Sequence, residues 1–255
     1  MDWHGKTVLI TGASSGIGRG LALDLAKRGA RLGLLARRKD LLDEIVGEIE
    51  RDGGKAFALQ ANVQDEAAVR LAVDGFQTEF GPIDVLVANA GVGATNDAAE
   101  LNAAEVARVV GVNVIGVANC VAAVVPGMVD RGQGQLVAIS SLAAYRGLPK
   151  SAAYCGSKAA VSAFFESLRI DLHTKGIDVT IIHPGFIKTP LTSGRHAQMP
   201  FLMELDDAIK KIVRAIEKRR KSYAFPWQLA TVVRAGMLMP NFMYDRIASK
   251  NSFRE

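Results

Sequence analysis

The stretch Thr7-Val-Leu-Ile-Thr11-Gly12-Ala-Ser-Ser-Gly16-Ile-Gly18 runs from a short apolar, β-rich segment into the start of a helical pattern. Glycines at such a junction permit a tight turn and a close approach of the backbone to a ligand. They also leave backbone N–H groups at the start of a helix, where a pyrophosphate binds well. A glycine triplet alone is weak evidence, but its position between a strand and a helix predicts a dinucleotide-binding unit.

The same alternation of short apolar runs and longer helical patterns continues along the chain. Near-continuous apolar runs are typical of a parallel sheet that is covered on both faces. The predicted strands span residues 7–11, 31–36, 56–61, 85–89, 136–140 and 179–183, and predicted helices begin near Gly16, Leu41, Glu66, Ala103 and Ala153. This pattern predicts an α/β fold: a three-layer, doubly wound parallel sheet of the Rossmann type, forming a single domain over residues 1–255.

The pattern changes after His183-Pro184-Gly185. Residues 193–205 are irregular, residues 206–218 have the apolar stripe of a surface helix, and residues 221–226 are compatible with a last strand. Beyond Trp227 the chain carries many large apolar residues, and Pro240 is expected to end any helix there.

Composition excludes several classes of protein. A chain with 49% hydrophobic and 22% charged residues can bury a large core and is not disordered. The net charge is +5, but lysines and arginines are mixed with acids, so we expect no nucleic-acid partner. The two cysteines lie in helical patterns, and the four histidines have no ligand spacing, so we expect no disulfide and no metal.

Two further features bear on location. The first residues lead directly into the first strand, which leaves no room for a signal peptide, and we expect a cytoplasmic protein. The longest uncharged run, 109–129, is long enough to suggest a membrane span, but Asn113, Asn119 and Pro126 interrupt it. We therefore interpret this run as a buried helix or as a helix at a subunit interface.

Tyr154 and Lys158 are four residues apart in a helical pattern, so their side chains share one face. A free tyrosine titrates near pH 10, and an adjacent ammonium lowers that pKa by favouring the phenolate. The pair is therefore suited to moving a proton near neutral pH. Together with a dinucleotide site, it predicts hydride transfer coupled to proton transfer.

The segment Ala36-Arg37-Arg38 ends the second predicted strand. An acid at this point would bind the ribose 2′-hydroxyl of NAD, whereas two guanidiniums suit the 2′-phosphate of NADP. The sequence thus favours NADP(H). The alternative is a solvated basic start to a helix, since Lys39 continues the charge run.

These residues, taken in order, resemble the classical short-chain dehydrogenase/reductase family, from about Lys6 to Thr189. The motifs that carry the resemblance are Thr11 to Gly18, Asn89-Ala90-Gly91, Asn113, Ser140-Ser141, Tyr154 to Lys158, and Pro184-Gly185 with Thr189. The resemblance implies a catalytic tetrad of Asn113, Ser141, Tyr154 and Lys158, in which Ser141 is preferred to Ser140 by its spacing to the tyrosine. It implies that Ser141 holds the substrate oxygen, that Lys158 also binds the nicotinamide ribose, and that Asn113 organises a water.

The resemblance also implies a cofactor-binding set. Its members are Gly12, Ser14, Ser15, Gly16, Ile17, Gly18, Arg37, Arg38, Asn62, Val63, Asn89, Ala90, Gly91, Tyr154, Lys158, Pro184, Gly185, Ile187 and Thr189. Asn62 departs from the family, which often has aspartate beside the adenine amino group, although an amide can also accept that bond. Each motif has a structural alternative, such as a plain turn at Asn89 to Gly91 or a helix cap at Asn113.

The family places a mobile substrate lid between Thr189 and Leu205, and we expect residues 190–226 to hold this lid and the last helix and strand. The lid residues Leu191, Met199, Phe201, Leu202 and Met203 favour a hydrophobic substrate, or else they pack on the core. Residues 227–255 are expected to contact another subunit, or alternatively a membrane surface, together with the basic cluster that precedes them. This cluster consists of Lys210, Lys211, Arg214, Lys218, Arg219, Arg220 and Lys221.

The sequence as a whole predicts an NADP(H)-dependent oxidoreductase that acts on a carbonyl or secondary alcohol of a hydrophobic small molecule and forms a homodimer or homotetramer. Two alternatives stay open. One is a membrane-peripheral enzyme acting on a lipid or long-chain ketone, and the other is a non-catalytic NADP(H)-binding regulator.

Overall fold

Seven parallel strands form the centre of the part of the chain that the computed structural model describes, which is residues 1–95, 97–193 and 199–249. The strands are β1 (Thr7–Thr11), β2 (Arg31–Ala36), β3 (Lys55–Gln60), β4 (Val85–Ala88), β5 (Gly134–Ile139), β6 (Ile177–Pro184) and β7 (Ser222–Phe225). They lie in the order β3-β2-β1-β4-β5-β6-β7. Since β1 pairs with both β2 and β4, the chain reverses direction across the sheet at β1, and ligands bind at such a point beyond the carboxyl ends of the strands.

Helices cover both faces of this sheet. The helices of the described residues are α1 (Gly16–Lys27), α2 (Lys39–Arg51), α3 (Glu66–Phe80), α4 (Ala103–Val110), α5 (Gly116–Arg131), α6 (Ala152–Leu172), α7 (Leu205–Glu217), α8 (Trp227–Leu238) and α9 (Asn241–Ala248). Residues of α1, α2 and α7 pack on one face, and residues of α3, α5 and α6 pack on the other. A π-helical turn, Gly111–Ile115, joins α4 to α5, and a 3-10 turn, Leu142–Ala144, follows β5.

Alternate residues of each strand point to opposite faces, which produces two separate cores. Val8 and Ile10 of β1 pack with residues of α1, α2 and α7, whereas Leu9 packs with residues of α3, α5 and α6. All three side chains are fully buried. The predicted three-layer, doubly wound parallel sheet is therefore confirmed.

The predicted elements match closely, with small shifts at their ends. β5 begins two residues before the predicted strand, and β3 is displaced by one residue. Pro240 stands between α8 and α9, as expected. The assignment of residues 1–255 to a single domain stays a prediction, and residues 194–198 of the predicted lid and 250–255 of the tail lie outside the described residues.

The long apolar run lies in α4, the π turn and α5. Among the described helices, the continuous stretch Ala103–Arg131 is long and apolar enough to cross a membrane, a test that core helices of soluble proteins also pass. Its Val109, Val117, Val121 and Val124 are buried in the core, in line with the interpretation as a packed helix.

Candidate active site

A cavity of about 870 Å³ lies beyond the carboxyl ends of the strands. Its volume is within the range of about 300–1,000 Å³ that small-molecule sites occupy. It is lined by the predicted residues Gly12, Ser14, Ser15, Gly16, Ile17, Arg37, Arg38, Asn62, Val63, Asn89, Ala90, Gly91, Ser141, Tyr154, Lys158, Pro184, Gly185, Ile187 and Thr189. Of the predicted residues, Gly18 and Asn113 do not line it. The topology thus brings nearly the whole predicted set to one place.

The glycine-rich turn is fixed by close backbone packing. Gly12 has φ of +64°, and a Cβ there would lie 2.8 Å from the Cα of Ala90. A Cβ on Gly18 would lie 2.3 Å from the carbonyl oxygen of Gly12, which explains why Gly18 packs under the turn rather than facing the cavity. Asn89 ties this turn to β4, since its Nδ2 donates to the carbonyl oxygens of Thr11 at 2.9 Å and Gly12 at 3.3 Å.

Helix α1 begins without a side-chain cap. Ser15 occupies the N-cap position, yet its side chain makes no capping bond, and no acid stands in the first turn. Asp65 and Asn102 cap α3 and α4, whereas α2 and α6 to α9 share the lack of a side-chain cap with α1. An uncapped helix N-terminus favours an anion, so the donors of this turn fit the pyrophosphate of a dinucleotide.

Arg37 and Arg38 stand at the end of β2 and line the same end of the cavity as the glycine-rich turn. Nη2 of Arg38 donates to Oγ of Ser14 at 2.9 Å and of Ser15 at 3.2 Å. Within the described residues, no hydrogen bond or ion pair occupies the guanidinium of Arg37. One arginine therefore braces the turn, while the other offers its donors to a ligand. Asn62 also lines this end.

Tyr154 and Lys158 lie on the first turns of α6 and are both buried. The Nζ atom of Lys158 lies 5.8 Å from the centre of the Tyr154 ring and donates to the carbonyl oxygen of Ile139 at 2.8 Å. Burial lowers the pKa of Lys158 to about 8. The side chains of Tyr154 and Lys158 thus lie together in the lining of the cavity.

The two serines after β5 have different surroundings. Ser140 is buried, and its hydroxyl bonds to the carbonyl oxygen of Lys158 at 3.1 Å and to Oγ of Ser162 at 2.8 Å. Ser141 is half-buried, lines the cavity and accepts a bond from the N–H of Ala143 at 3.1 Å. The environment of Ser141 is thus more open to a ligand, while Ser140 braces α6.

Asn113 lies in the π-helical turn behind the cavity and is fully buried. Its Oδ1 accepts from the N–H of Val92 at 2.8 Å, and its Nδ2 donates to the carbonyl oxygen of Val92 at 3.0 Å. Nδ2 also donates to Oγ of Ser157 at 2.9 Å, and that hydroxyl donates to the carbonyl oxygen of Tyr154. Asn113 is therefore connected to the turn of α6 that carries Tyr154.

The segment after β6 closes the cavity from the opposite side. Gly185 donates its N–H to the carbonyl oxygen of Phe225 at 2.7 Å, and Ile187 pairs with Met203 in an isolated bridge. Among the predicted lid residues, Leu191 lines the cavity, Met203 packs against the core, and Phe201 is exposed. One predicted lid residue thus lines the cavity and another packs on the core, and the hydrophobic substrate stays a prediction.

The tail has a role that the sequence analysis missed. Helices α8 and α9 form one wall of the cavity, through Leu229, Val232, Val233, Ala235, Gly236, Met239, Tyr244, Ile247 and Ala248. Arg146, Leu148 and Phe186 also line the cavity and were not predicted. The apolar spacing in α8 was visible in the sequence, but nothing there indicated what the helix packs against.

Within the described residues, no three His, Cys, Asp or Glu side chains are grouped so that they could hold a metal, and His196 lies outside those residues. His183 is buried, with its ring centre 4.8 Å from that of Tyr145, and burial lowers its pKa to about 4. Cys120 and Cys155 are buried free thiols, and burial raises the pKa of Cys120 to about 12.

The family model of short chain dehydrogenases matches residues 6–200. The chain belongs to the short-chain dehydrogenase/reductase family. Its members are NAD(P)H-dependent oxidoreductases that act on small molecules and are typically oligomeric. The matched residues include the glycine-rich turn and the Tyr154–Lys158 pair and end before α7.

Relatives within this family differ in how much of the chain they share. An uncharacterized oxidoreductase of Myxococcus xanthus is 42% identical over 245 residues, which is 96% of this chain and 97% of that one. A 3-oxoacyl-(acyl-carrier-protein) reductase of Staphylococcus aureus is 36% identical over 188 residues, which is 73% of this chain and 76% of the relative. The crystal structure of a 3-ketoacyl-(acyl-carrier-protein) reductase from Brucella melitensis complexed with NADH is 31% identical and superposes with a TM-score of 0.80, covering 88% of this chain and 96% of that one.

Proposed function

We propose that this protein is an NADP(H)-dependent carbonyl reductase or alcohol dehydrogenase for hydrophobic substrates, with Tyr154 as the general acid/base. One observation carries the proposal: a single cavity joins the glycine-rich turn, the Tyr154–Lys158 pair and an apolar wall. The same arrangement supports the alternative of an NADP(H)-binding regulator less well, because a regulator has no need of a lysine that tunes a tyrosine.

The residues of this chain have distinct tasks in the proposed reaction. A bound nicotinamide supplies or accepts the hydride. Ser141 holds the substrate oxygen, and the hydroxyl of Tyr154 donates its proton to that oxygen during reduction. The charge of Lys158 stabilises the phenolate that remains. Asn113 holds the Tyr154 turn through Ser157 and is proposed to organise a water that returns the proton.

Preference for NADP(H) is proposed from the end of β2. Ala36 stands where an acid would bind a ribose 2′-hydroxyl, and Arg37 and Arg38 line the cavity beside it. A 2′-phosphate would gain a charge-assisted bond from the unoccupied guanidinium of Arg37. The Brucella relative was crystallised with NADH, so a direct comparison of the two cofactors is the decisive test.

The half of the cavity that α8 and α9 border, which we call the substrate half, supports a hydrophobic substrate. Its walls are mainly aliphatic, with no acid among the described residues that line the cavity. Arg146 also lines the cavity, and its guanidinium is engaged by carbonyl oxygens of the tail. Relatives named as 3-oxoacyl reductases extend the substrate class to acyl thioesters as well as simple ketones.

We further propose a cytoplasmic homodimer or homotetramer. The outward side of the tail exposes Trp227, Leu238 and Phe242, which favours contact with a second copy of the chain. The same exposure supports the membrane-peripheral alternative. Two measurements separate these alternatives: the mass of the protein in solution and its flotation with anionic liposomes. A protein that floats with the liposomes would favour the membrane alternative. A dimer or tetramer that stays in the soluble fraction would favour the proposal.

The experiment that tests the proposed function follows NADPH oxidation, with NADH in parallel, over a panel of aliphatic, aromatic, steroid and long-chain ketones. We expect turnover of apolar ketones with NADPH at least tenfold more efficient, in kcat/KM, than with NADH. Equal efficiency would contradict the cofactor preference. Tight cofactor binding with no turnover across the panel would favour the regulator instead.

A further inference from the structure

Arg146 connects the catalytic serine segment to the tail. It lies five residues after Ser141, beyond the 3-10 turn, on a loop that borders the cavity. Its Nη1 donates to the carbonyl oxygens of Gly236 and of Met239, the latter at 2.9 Å. Its Nη2 donates to Oδ1 of Asn241 at 2.9 Å. One guanidinium thus binds the last turn of α8, its C-cap and the first residue of α9.

Tyr244 of α9 completes this connection from the other side. The Cζ atom of Arg146 lies 3.9 Å from the centre of the Tyr244 ring, a cation–π contact. The hydroxyl of Tyr244 donates to the carbonyl oxygen of Gly147 at 2.6 Å. Burial raises the pKa of Tyr244, although the Arg146 charge opposes this, so the hydroxyl keeps its proton. We call the contacts of Arg146 and Tyr244 with each other, with the carbonyls and with Asn241 the tail latch.

Burial of apolar side chains does little to hold the tail in place. In α8 only Ala230 is buried among the helix residues, and in α9 none is. Leu238 is 89% exposed and Phe242 is 76% exposed. A segment with so few buried contacts opens easily unless polar contacts hold it. The latch therefore supplies a large share of what keeps α8 and α9 beside the cavity.

The latch also forms part of the wall that it holds. Arg146, Gly236, Met239 and Tyr244 line the cavity, and Ile247 of α9 lines it further out. If the latch opens, these side chains move away from a substrate that extends past the catalytic residues. A short substrate does not reach them and is affected less.

We propose that Arg146 and Tyr244 are positioning residues that set the substrate range, by holding α8 and α9 as the far wall of the substrate half. This inference rests on the proposed function. The latch selects neutral substrates with an extended apolar portion, because the guanidinium is committed to tail carbonyls and the wall it holds is aliphatic.

The test compares reduction of 2-decanone and 2-butanone by the purified protein with NADPH. Each substrate methylene that loses its contact lowers kcat/KM by a factor of about four. Loss of between one and two such contacts in Arg146→Leu should therefore lower the ratio of kcat/KM for the long to the short ketone roughly tenfold. The loss should appear mainly in KM for 2-decanone. Tyr244→Phe keeps the ring and removes the bond to Gly147, and we expect a fall of about threefold.

Matched controls come from α9 itself. Phe242→Ala removes an aromatic ring and Arg246→Leu removes a guanidinium, and neither residue is among those that line the cavity. Both controls should keep the ratio of the wild type. If Arg146→Leu and Tyr244→Phe also keep it, or if the controls lower it equally, the latch does not set the substrate range.

Hydrogen exchange gives a readout that does not need turnover. In Arg146→Leu, amides of the last turn of α8 and of α9 should exchange at least tenfold faster than in the wild type, whereas Phe242→Ala should leave them unchanged. Unchanged exchange in Arg146→Leu would overturn the latch. If the wild type reduces neither ketone, the proposed function is contradicted. The hydrogen-exchange measurement then decides independently whether the latch holds α8 and α9.

Discussion

The two ends of the cavity are built in different ways. At the cofactor end, backbone atoms pack so closely that Gly12 and Gly18 have no room for a side chain. At the tail end, the wall consists of side chains on α8 and α9. Of the described residues in these two helices, only Ala230 is buried. The first end is fixed by steric contact, and the second is held by a few polar bonds.

The two ends also differ in how the family model covers them. The family model ends at residue 200, before α7 and the tail. A site built from closely packed backbone atoms tolerates few changes of residue. A wall built from exposed helices can change its side chains at little cost in stability, because surface substitutions are usually within about 0.5 kcal/mol. We therefore expect the residues of the cofactor end to determine the reaction and those of the tail end to determine the substrate range.

The largest expected effect lies where the two ends meet, at Tyr154. Tyr154→Phe removes the proton donor and leaves the ring that packs in the cavity, so kcat should fall by about 10³. The dissociation constant for NADPH should change by less than about twofold, as measured by fluorescence titration. Tyr145→Phe is the matched control, since Tyr145 is not among the residues that line the cavity. Turnover above a tenth of the wild-type value in Tyr154→Phe would remove this residue from the acid/base role.

Most of the cofactor end could be predicted from the sequence because its signals are local. Buried strands show as continuous apolar runs, and the residues at their carboxyl ends must meet at one edge of a parallel sheet. Tyr154 and Lys158 share a helix face by their spacing alone. Gly18 shows the limit of this reasoning. Its place in the motif was recognised, but its task, which is to pack against the Gly12 carbonyl, required the fold.

The tail end could not be predicted, since its signals are not local. Arg146 reaches carbonyl oxygens about ninety residues further along the chain, and no periodicity reports such a contact. The apolar residues of α8 suggested an interface or a membrane, because the sequence shows that a face is apolar but not which surface covers it. The structure directs Leu229 and Val233 to the cavity, while Trp227 and Leu238 stay exposed.

A smaller effect is expected from the buried charge of Lys158. Its pKa is about 8 in the folded chain and near 10.5 when unfolded, because burial disfavours the ammonium. Between these values the unfolded chain holds a proton that the folded chain has lost, so the free energy of unfolding rises with pH across this window. The rise is about 3 kcal/mol for a shift of this size. Lys158→Met should lack it.

Urea unfolding of the cofactor-free protein between pH 7 and 10.5 measures this difference. Lys175→Met, which removes an exposed lysine, should follow the wild type. If Lys158→Met shows the same pH dependence as the wild type, then the Lys158 ammonium is not destabilised by burial.

The smallest expected effect is on cofactor affinity, and it should be confined to the cofactor end. Arg37→Ala should raise the dissociation constant for NADPH by roughly tenfold or more, since a charge-assisted bond to the 2′-phosphate contributes about 1.5–3 kcal/mol. The constant for NADH should change little.

Arg38→Ala should weaken the binding of both cofactors, because Arg38 also holds Ser14 and Ser15 of the glycine-rich turn. At saturating cofactor, KM for a long ketone should be unchanged in Arg37→Ala, since this residue lies at the opposite end from the tail. Equal losses for NADPH and NADH would mean that Arg37 does not bind the 2′-phosphate, and a raised ketone KM would mean that the two ends are coupled.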